Sequence, residues 1–267
     1  MSGVFTAACI QLSAAREAEP NIAAARDLIR RARDAGAQLI MTPEVSDMME
    51  PKRPLRLEKA RKEADHPMLA AFGELARETG AWLLLGSAVV RREDGDDRLA
   101  NRSFLVAPDG RVAQRYDKIH MFDVELAGGE SYRESNAFRP GEAAALAPLP
   151  WGVLGMTVCY DLRFPQLYRA LAQAGADFLS IPSAFTVPTG RAHWHVLMRA
   201  RAIETGCFVF APAQWGEHAE GRKTYGHSLI VAPWGEIIAE ARRAVPSLRH
   251  DRAFAAPPRK GGALAAE

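Results

Sequence analysis

Cys159 closes the apolar run Val153–Val158, and a helical pattern begins at Pro165. A thiol at a strand end, with backbone N–H groups of a helix start nearby, is favoured as the nucleophilic thiolate. Ligand sites in α/β sheets gather at such strand ends. Glu44 follows the apolar run Gln38–Met41 through Thr42 and Pro43, so a carboxylate stands at the mouth of a sheet. Such a carboxylate suits general-base work if desolvation raises its pKa. Lys118, within Tyr116-Asp117-Lys118-Ile119-His120, lies just past another strand. An ammonium in a closed site stabilises a developing oxyanion. Glu134, within Tyr132-Arg133-Glu134-Ser135, reads by itself as a surface charge. An ordinary reading exists for the others too: a buried structural cysteine, a solvated loop glutamate, a lysine paired with Asp117. No one of them carries a function alone.

Their joint context does. Thr42-Pro43-Glu44, Tyr116-Asp117-Lys118-Ile119-His120 and Val158-Cys159-Tyr160-Asp161-Leu162-Arg163-Phe164-Pro165 resemble, in order, the three catalytic blocks of the nitrilase superfamily, the carbon–nitrogen hydrolases. The likeness runs from Thr6 to about Ala239. Gly128-Gly129-Glu130-Ser131-Tyr132-Arg133-Glu134-Ser135, Pro182-Ser183-Ala184-Phe185-Thr186 and Ala192-His193-Trp194 resemble the branch that contains omega-amidase and deaminated glutathione amidase. Ala213-Gln214-Trp215-Gly216-Glu217-His218 and Tyr225-Gly226-His227-Ser228 lean toward the latter.

The resemblance implies a role for each position. Cys159 is the nucleophile that forms a thioester. Glu44 takes the thiol proton, passes it to the leaving ammonia and then activates water. Lys118 and the Tyr160 backbone N–H hold the oxyanion, and Glu134 positions Lys118 and the substrate. These are the groups that amide cleavage needs: a nucleophile, a proton carrier for a poor leaving group and a charge-stabilising hole. Arg163 suits a substrate carboxylate, its alternative being a pair with Asp161. Phe185 and Thr189 match pocket-lining positions, although Phe185 also fits a core. No metal or cofactor is implied. The implied activity is hydrolysis of a small carboxylate-bearing amide to acid and ammonia, on deaminated glutathione first and on 2-oxo acid amides second. A catalytically weak binding or scaffold protein is the competing class, and retention of Glu44, Lys118, Glu134 and Cys159 together speaks against it.

The elements that must position these groups are legible in outline. Strands are expected over Phe5–Leu12, Gln38–Met41, Ala81–Val90, Ser103–Ala107, Val112–Tyr116, Val153–Val158, Asp177–Pro182, Cys207–Ala213, Ser228–Ala232 and Glu236–Ala239. Helices are expected over Asn21–Ala35, Leu57–Thr79, Pro165–Ala174 and Ala192–Glu204. His120–Gly141 reads as a long functional loop. Strands alternate with helices but hairpins interrupt, which argues for a layered α/β fold with mixed sheets rather than a TIM barrel. The resemblance makes this the α-β-β-α sandwich of the nitrilase type, dimerising through helices or forming a higher homo-oligomer. Residues 1–252 are expected to be one hydrolase domain and 253–267 a disordered tail rich in Pro, Gly and Ala.

Composition excludes other classes. The 267 residues are 48% apolar and 25% charged, with 34 Lys and Arg against 32 Asp and Glu. A net charge of +2 does not suit a nucleic-acid or membrane-surface protein. The longest apolar stretch, Ala81–Val90, is half of the ~20 residues a membrane span takes. No Lys or Arg precedes Arg16, as a signal peptide would require. Cys9, Cys159 and Cys207 form no framework, which points to a reducing, cytoplasmic setting. His193 and His195 stand on different helix faces and are poor zinc co-ligands. Three departures from the resemblance stand out: His195 and Gln166 replace usual glutamates, and about one strand is missing after Glu240. That loss puts a sheet edge and the dimer contact in doubt.

Overall fold

The computed structural model describes residues 4–125 and 131–241, together with the backbone of 254–256. The first half runs β1 (Phe5–Cys9), α1 (Ala18–Asp34), β2 (Leu39–Met41), α2 (Arg53–Lys59), α3 (Pro67–Thr79), β3 (Trp82–Arg91), β4 (Leu99–Val106) and β5 (Val112–Asp117). A short ribbon follows, β6 (Asp123–Glu125) with β7 (Ser131–Arg133). The second half runs β8 (Ala145–Leu149), β9 (Gly152–Met156), α4 (Pro165–Gln173), β10 (Phe178–Ser180), α5 (Val187–Thr205) and β11 (Phe208–Ala211). A second ribbon, β12 (Trp215–Glu217) with β13 (Lys223–Tyr225), precedes β14 (Leu229–Val231), β15 (Ile237–Glu240) and β16 (Phe254–Ala256).

Two six-stranded sheets result, ordered β16-β1-β2-β3-β4-β5 and β15-β14-β11-β10-β9-β8. Each has three parallel strands in its centre, β1-β2-β3 in one and β9-β10-β11 in the other, with antiparallel strands outside them. The expected mixed-sheet α/β architecture is therefore present, without a barrel. Both faces of the first sheet are buried, so its strands read as unbroken apolar runs. Leu39, Met41 and Leu84 point into a core shared with Leu154, Met156, Leu179 and Phe210 of the second sheet. Their neighbours Ile40, Leu83 and Leu85 point the other way, onto Ile29 of α1 and Phe72 and Leu75 of α3. Phe5 bridges the sheets, stacked 4.4 Å from Trp151 and edge-on 5.3 Å from Phe178.

The differences from expectation that bear most on the fold are these. The helix expected over Leu57–Thr79 is two, α2 and α3, separated by a 3₁₀ turn at Glu63–Asp65. Pro67 is the cause: it starts a helix well but bars its predecessor His66 from helical geometry. The long loop from His120 contains the β6–β7 ribbon and a turn at Glu134–Asn136. Strand β8, Ala145–Leu149, is not among the expected strands: Pro148 interrupts its pattern, which an edge strand tolerates. Finally, residues 254–256 of the expected tail pair antiparallel with β1, supplying the strand missing at that sheet edge. Backbone pairing needs no side-chain signature, so composition could not announce it. The remainder of the tail lies outside the described residues.

Gly86 fixes how closely the two sheets approach at their loop end. A Cβ there would lie 1.9 Å from the Thr42 carbonyl oxygen, 2.5 Å from that of Pro43 and 2.6 Å from Pro182 Cβ. The β3–β4 register shifts between Leu85 and Ala88, at this contact. Gly86→Ala is therefore expected to push the Thr42–Glu44 turn outward and destabilise the fold by about 1–3 kcal/mol. The urea midpoint would measure it, and an unchanged midpoint would contradict the close approach.

Candidate active site

Three chain turns deliver the reacting groups. After β2, Thr42 and Pro43 lead to Glu44, and Val45 beyond it is held at φ 46°, a strained value for a β-branched residue. The Ser87 hydroxyl accepts from Val45 N–H at 2.8 Å, and Gln214 Nε2 donates to the Glu44 carbonyl at 3.0 Å. After β5 the chain presents Lys118. After β9 it turns at Cys159, held at φ 50°, into a 3₁₀ turn over Cys159–Arg163. The Cys159 N–H is fixed on the Pro182 carbonyl at 3.0 Å. Asp161 locks this turn to the Lys118 strand end. It accepts from Val158 N–H at 2.8 Å, His120 N–H at 3.0 Å and the Tyr116 hydroxyl at 2.7 Å.

The side chains converge in the interior. Lys118 is 2% exposed and Glu44 5%. Lys118 Nζ donates to Glu44 Oε1 at 2.9 Å and to both Glu134 oxygens, at 3.0 and 2.8 Å. Asn101 Nδ2 donates to Glu44 Oε1 at 3.0 Å, and Ala184 N–H to Glu44 Oε2 at 2.9 Å. Glu134 also takes the Phe122 N–H at 2.6 Å. The Cys159 thiol hydrogen-bonds the Glu44 carboxylate.

The charges follow from these contacts. Burial pushes the Cys159 thiol well up, and the Glu44 charge adds to that, outweighing Lys118. The thiolate expected from the helix start is therefore not the resting form; the thiol is. For Glu44, burial favours the acid, but Lys118, the Cys159 hydrogen bond and Arg222 outweigh it and hold the pKa below the usual carboxylate value. For Lys118, burial works against the ammonium, yet Glu134 and Glu44 hold its pKa well above the ordinary value. A carboxylate, an ammonium and a neutral thiol thus sit in contact. Among the described residues the Tyr160 N–H, beside the sulfur, has no acceptor.

These groups line a cavity of about 390 Å³, in the size range of small-molecule pockets. Tyr160, Arg163, Phe185 and Thr189 line it too. The Arg163 guanidinium carbon lies 5.6 Å from the Tyr160 ring and 5.7 Å from that of Phe185. Its Nη2 is 3.2 Å from His193 Nδ1, and it does not pair with Asp161. Phe185 serves the core as well, edge-on to Trp194 at 5.1 Å. Thr189 bonds the Thr186 hydroxyl at 2.8 Å at the start of α5. Sequence reasoning missed Asn101, Arg56 and Arg222, which also line the cavity. A polar residue inside apolar β4 was the available signal for Asn101; the two arginines gave none. His195 lies outside the lining, 3.1 Å from Glu240 Oε1, which His227 Nδ1 meets at 2.6 Å. Those three are the set with metal-ligand spacing among the described residues, and hydrogen bonds already join them.

The carbon–nitrogen hydrolase family profile matches residues 6–246. A deaminated glutathione amidase of Yersinia enterocolitica is 41% identical over 243 residues, which cover 91% of this chain and 84% of that protein. The Caenorhabditis elegans NitFhit crystal structure superposes with a TM-score of 0.83 at 36% identity, over 90% of this chain and 58% of that longer one. Saccharomyces cerevisiae Nit3, described as a member of branch 10 of the nitrilase superfamily, gives 0.79 at 27% identity, over 90% of this chain and 87% of its own.

A pH consequence follows from the two opposed shifts. For Glu44 to accept a proton from Cys159, Glu44 must be ionised and Cys159 protonated. The first pKa lies below its ordinary 4.5 and the second above its ordinary 9.0, so the productive pair persists throughout that interval. The pH profile of kcat/KM is expected to be flat between these values wherever the protein stays folded. A rate climbing with thiol ionisation through pH 8 to 9 would contradict the arrangement.

Proposed function

As a chain that belongs to the carbon–nitrogen hydrolase family, this protein is an amidase of the nitrilase superfamily, and we propose that it cleaves a small carboxylate-bearing amide through a Cys159 thioester. The observation that carries this reading is the Cys159–Glu44–Lys118 contact, with Lys118 Nζ 2.9 Å from Glu44 Oε1. Glu44 takes the thiol proton as sulfur attacks the amide carbon. Negative charge moves to the carbonyl oxygen, which Lys118 and the Tyr160 N–H receive. Glu44 then gives the proton to the departing nitrogen, the C–N bond breaks and the thioester remains. A water activated by Glu44 attacks that thioester, and the released sulfur recovers its proton. Glu134 keeps Lys118 in place throughout.

Arg163 supports the carboxylate preference, since a planar guanidinium between two rings presents a fork to an anion. Deaminated glutathione is the preferred candidate, and 2-oxo acid amides such as 2-oxoglutaramate come second. Glutathione's amides are secondary, so the first would release a peptide amine; only a primary amide releases ammonia. We further take residues 1–252 as one catalytic unit that works in the cytoplasm as a homodimer. Among the described residues no helix is long and apolar enough to cross a membrane. The dimer rests on the outer face of α5, where Val196 and Ile203 are 68% and 56% exposed. They stand two turns apart on one face, and a stripe of this kind marks an interface.

Two measurements test these readings. Cys159→Ala is expected to lower turnover of the best amide by at least about 10⁴-fold, as removal of a nucleophile does. Release that survives the substitution would end the thioester mechanism, and no release from any compound in a panel of deaminated glutathione, 2-oxoglutaramate and simple nitriles would favour the scaffold reading. By light scattering, a protein carrying Val196→Glu and Ile203→Glu is expected to be a monomer where the parent is a dimer; an unchanged mass would move the interface elsewhere.

A further inference from the structure

The cavity holds a second cationic wall, of which the chemistry above uses only the effect of the Arg222 charge on Glu44. Arg56 and Arg222 both line it. Burial lowers the Arg56 pKa and the Arg222 charge lowers it further, against the opposing pull of Glu134, Glu50 and Asp47. Two adjacent guanidinium groups would ordinarily be neutralised by a facing carboxylate. Among the described residues neither has an ion-pair partner. Arg56 donates only to the carbonyls of Glu50, at 2.9 and 2.7 Å, and of Pro51 at 3.3 Å, while its plane lies over Phe138. Arg222 Nη2 donates to the Ala184 carbonyl at 3.3 Å, and its buried Nε has no partner. A paired positive charge left open toward a cavity is an anion-binding feature.

Its location specifies which end of a substrate it serves. Ala184 gives its N–H to Glu44 Oε2 and its carbonyl to Arg222, so one residue joins the proton carrier to this wall. Glu44 is the group that protonates the departing nitrogen. With Glu44 as the proton donor to the departing nitrogen, this link assigns Arg222 to the leaving-group side of the scissile bond. Arg163 has different partners, the Tyr160 and Phe185 rings and His193 Nδ1.

We propose that Arg222 and Arg56 form a second carboxylate subsite, which selects amides whose amine portion itself carries a carboxylate, as a peptide amine does. This rests on the amidase reading and narrows it: the preferred substrate is anionic at both ends, and a primary amide that releases ammonia leaves this subsite unfilled. Arg222 and Arg56 are specificity residues here and take no part in proton transfer.

The test compares deaminated glutathione with its analogue in which the terminal carboxylate is a neutral carboxamide. Charge-assisted contacts of this kind predict that wild-type enzyme prefers the carboxylate by about 10- to 100-fold in kcat/KM. The difference should reside mainly in KM, and Arg222→Gln and Arg56→Gln should each shrink the ratio toward one. Equal kcat/KM for the two compounds in the wild-type enzyme would overturn the proposal while leaving the amidase reading intact. Calorimetric titration of both ligands into Cys159→Ala protein isolates the subsite from chemistry. Tighter binding of the carboxylate without turnover by the wild-type enzyme would sink the amidase reading and keep the subsite, whereas equal binding would remove the subsite. The wild-type comparison requires no folded variant, so a misfolded Arg222→Gln protein does not rescue the idea.

Discussion

A single buried ammonium organises this molecule. Lys118 is out of water and touches two carboxylates, Glu44 and Glu134. Removing one partner from such a buried cluster costs about 3–5 kcal/mol, because a charge is left uncompensated. The cluster therefore requires that strand ends from the first sheet and the long segment after β5 all arrive at one point. It also explains why so much neighbouring backbone is committed. Asn101 touches both carboxylates, the Ala184 N–H meets Glu44, and the Phe122 N–H meets Glu134. Buried polar groups of this kind are stable only when nearly every one is satisfied.

The two sheets follow the same plan, three parallel strands flanked by antiparallel ones, without any repeat visible in the sequence. Facing each other, they bring the end of β2 opposite the end of β9, which is how Glu44 reaches Cys159 across 115 positions of chain. Gly86 permits that approach by presenting no side chain to Thr42, Pro43 and Pro182. Val45 and Cys159 carry the local strain of the two sharp turns. Strain at reacting positions persists because the surrounding hydrogen bonds over-determine them.

What the sequence revealed depended on where the deciding interaction was local. Strand ends, Pro43 before Glu44 and the apolar run into Cys159 are local, so those positions were legible. Pro67 was a visible break that the continuous apolar pattern of Leu57–Thr79 overrode. Asn101 escaped because the strand was read as beginning at Ser103, when it begins at Leu99. Arg56 and Arg222 acquire meaning only through each other, 166 positions apart, and nothing near either one signals it. The Cys159 shift runs against its local signal for a related reason. A helix start is a local feature that favours thiolate, whereas burial and the Glu44 charge come from the tertiary fold and dominate.

That reversal clarifies why a carboxylate can serve as the base here. In the resting site the negative charge rests on Glu44, and Cys159 is neutral. In the mechanism proposed above, proton transfer moves this charge to sulfur without creating a new ion pair. Attack moves it again, to the carbonyl oxygen, and collapse returns it to the leaving nitrogen's proton donor. At every stage one negative charge remains near the same fixed ammonium, so Lys118 stabilises each location in turn and reorganises little. Glu134, which takes Lys118 Nζ on both of its oxygens, balances the ammonium while the other charge moves. Without it, the ammonium would bind Glu44 or the thiolate so strongly that moving the proton onward would become costly. The second acid thus tunes the first, which gives a physical reason for two carboxylates around one lysine.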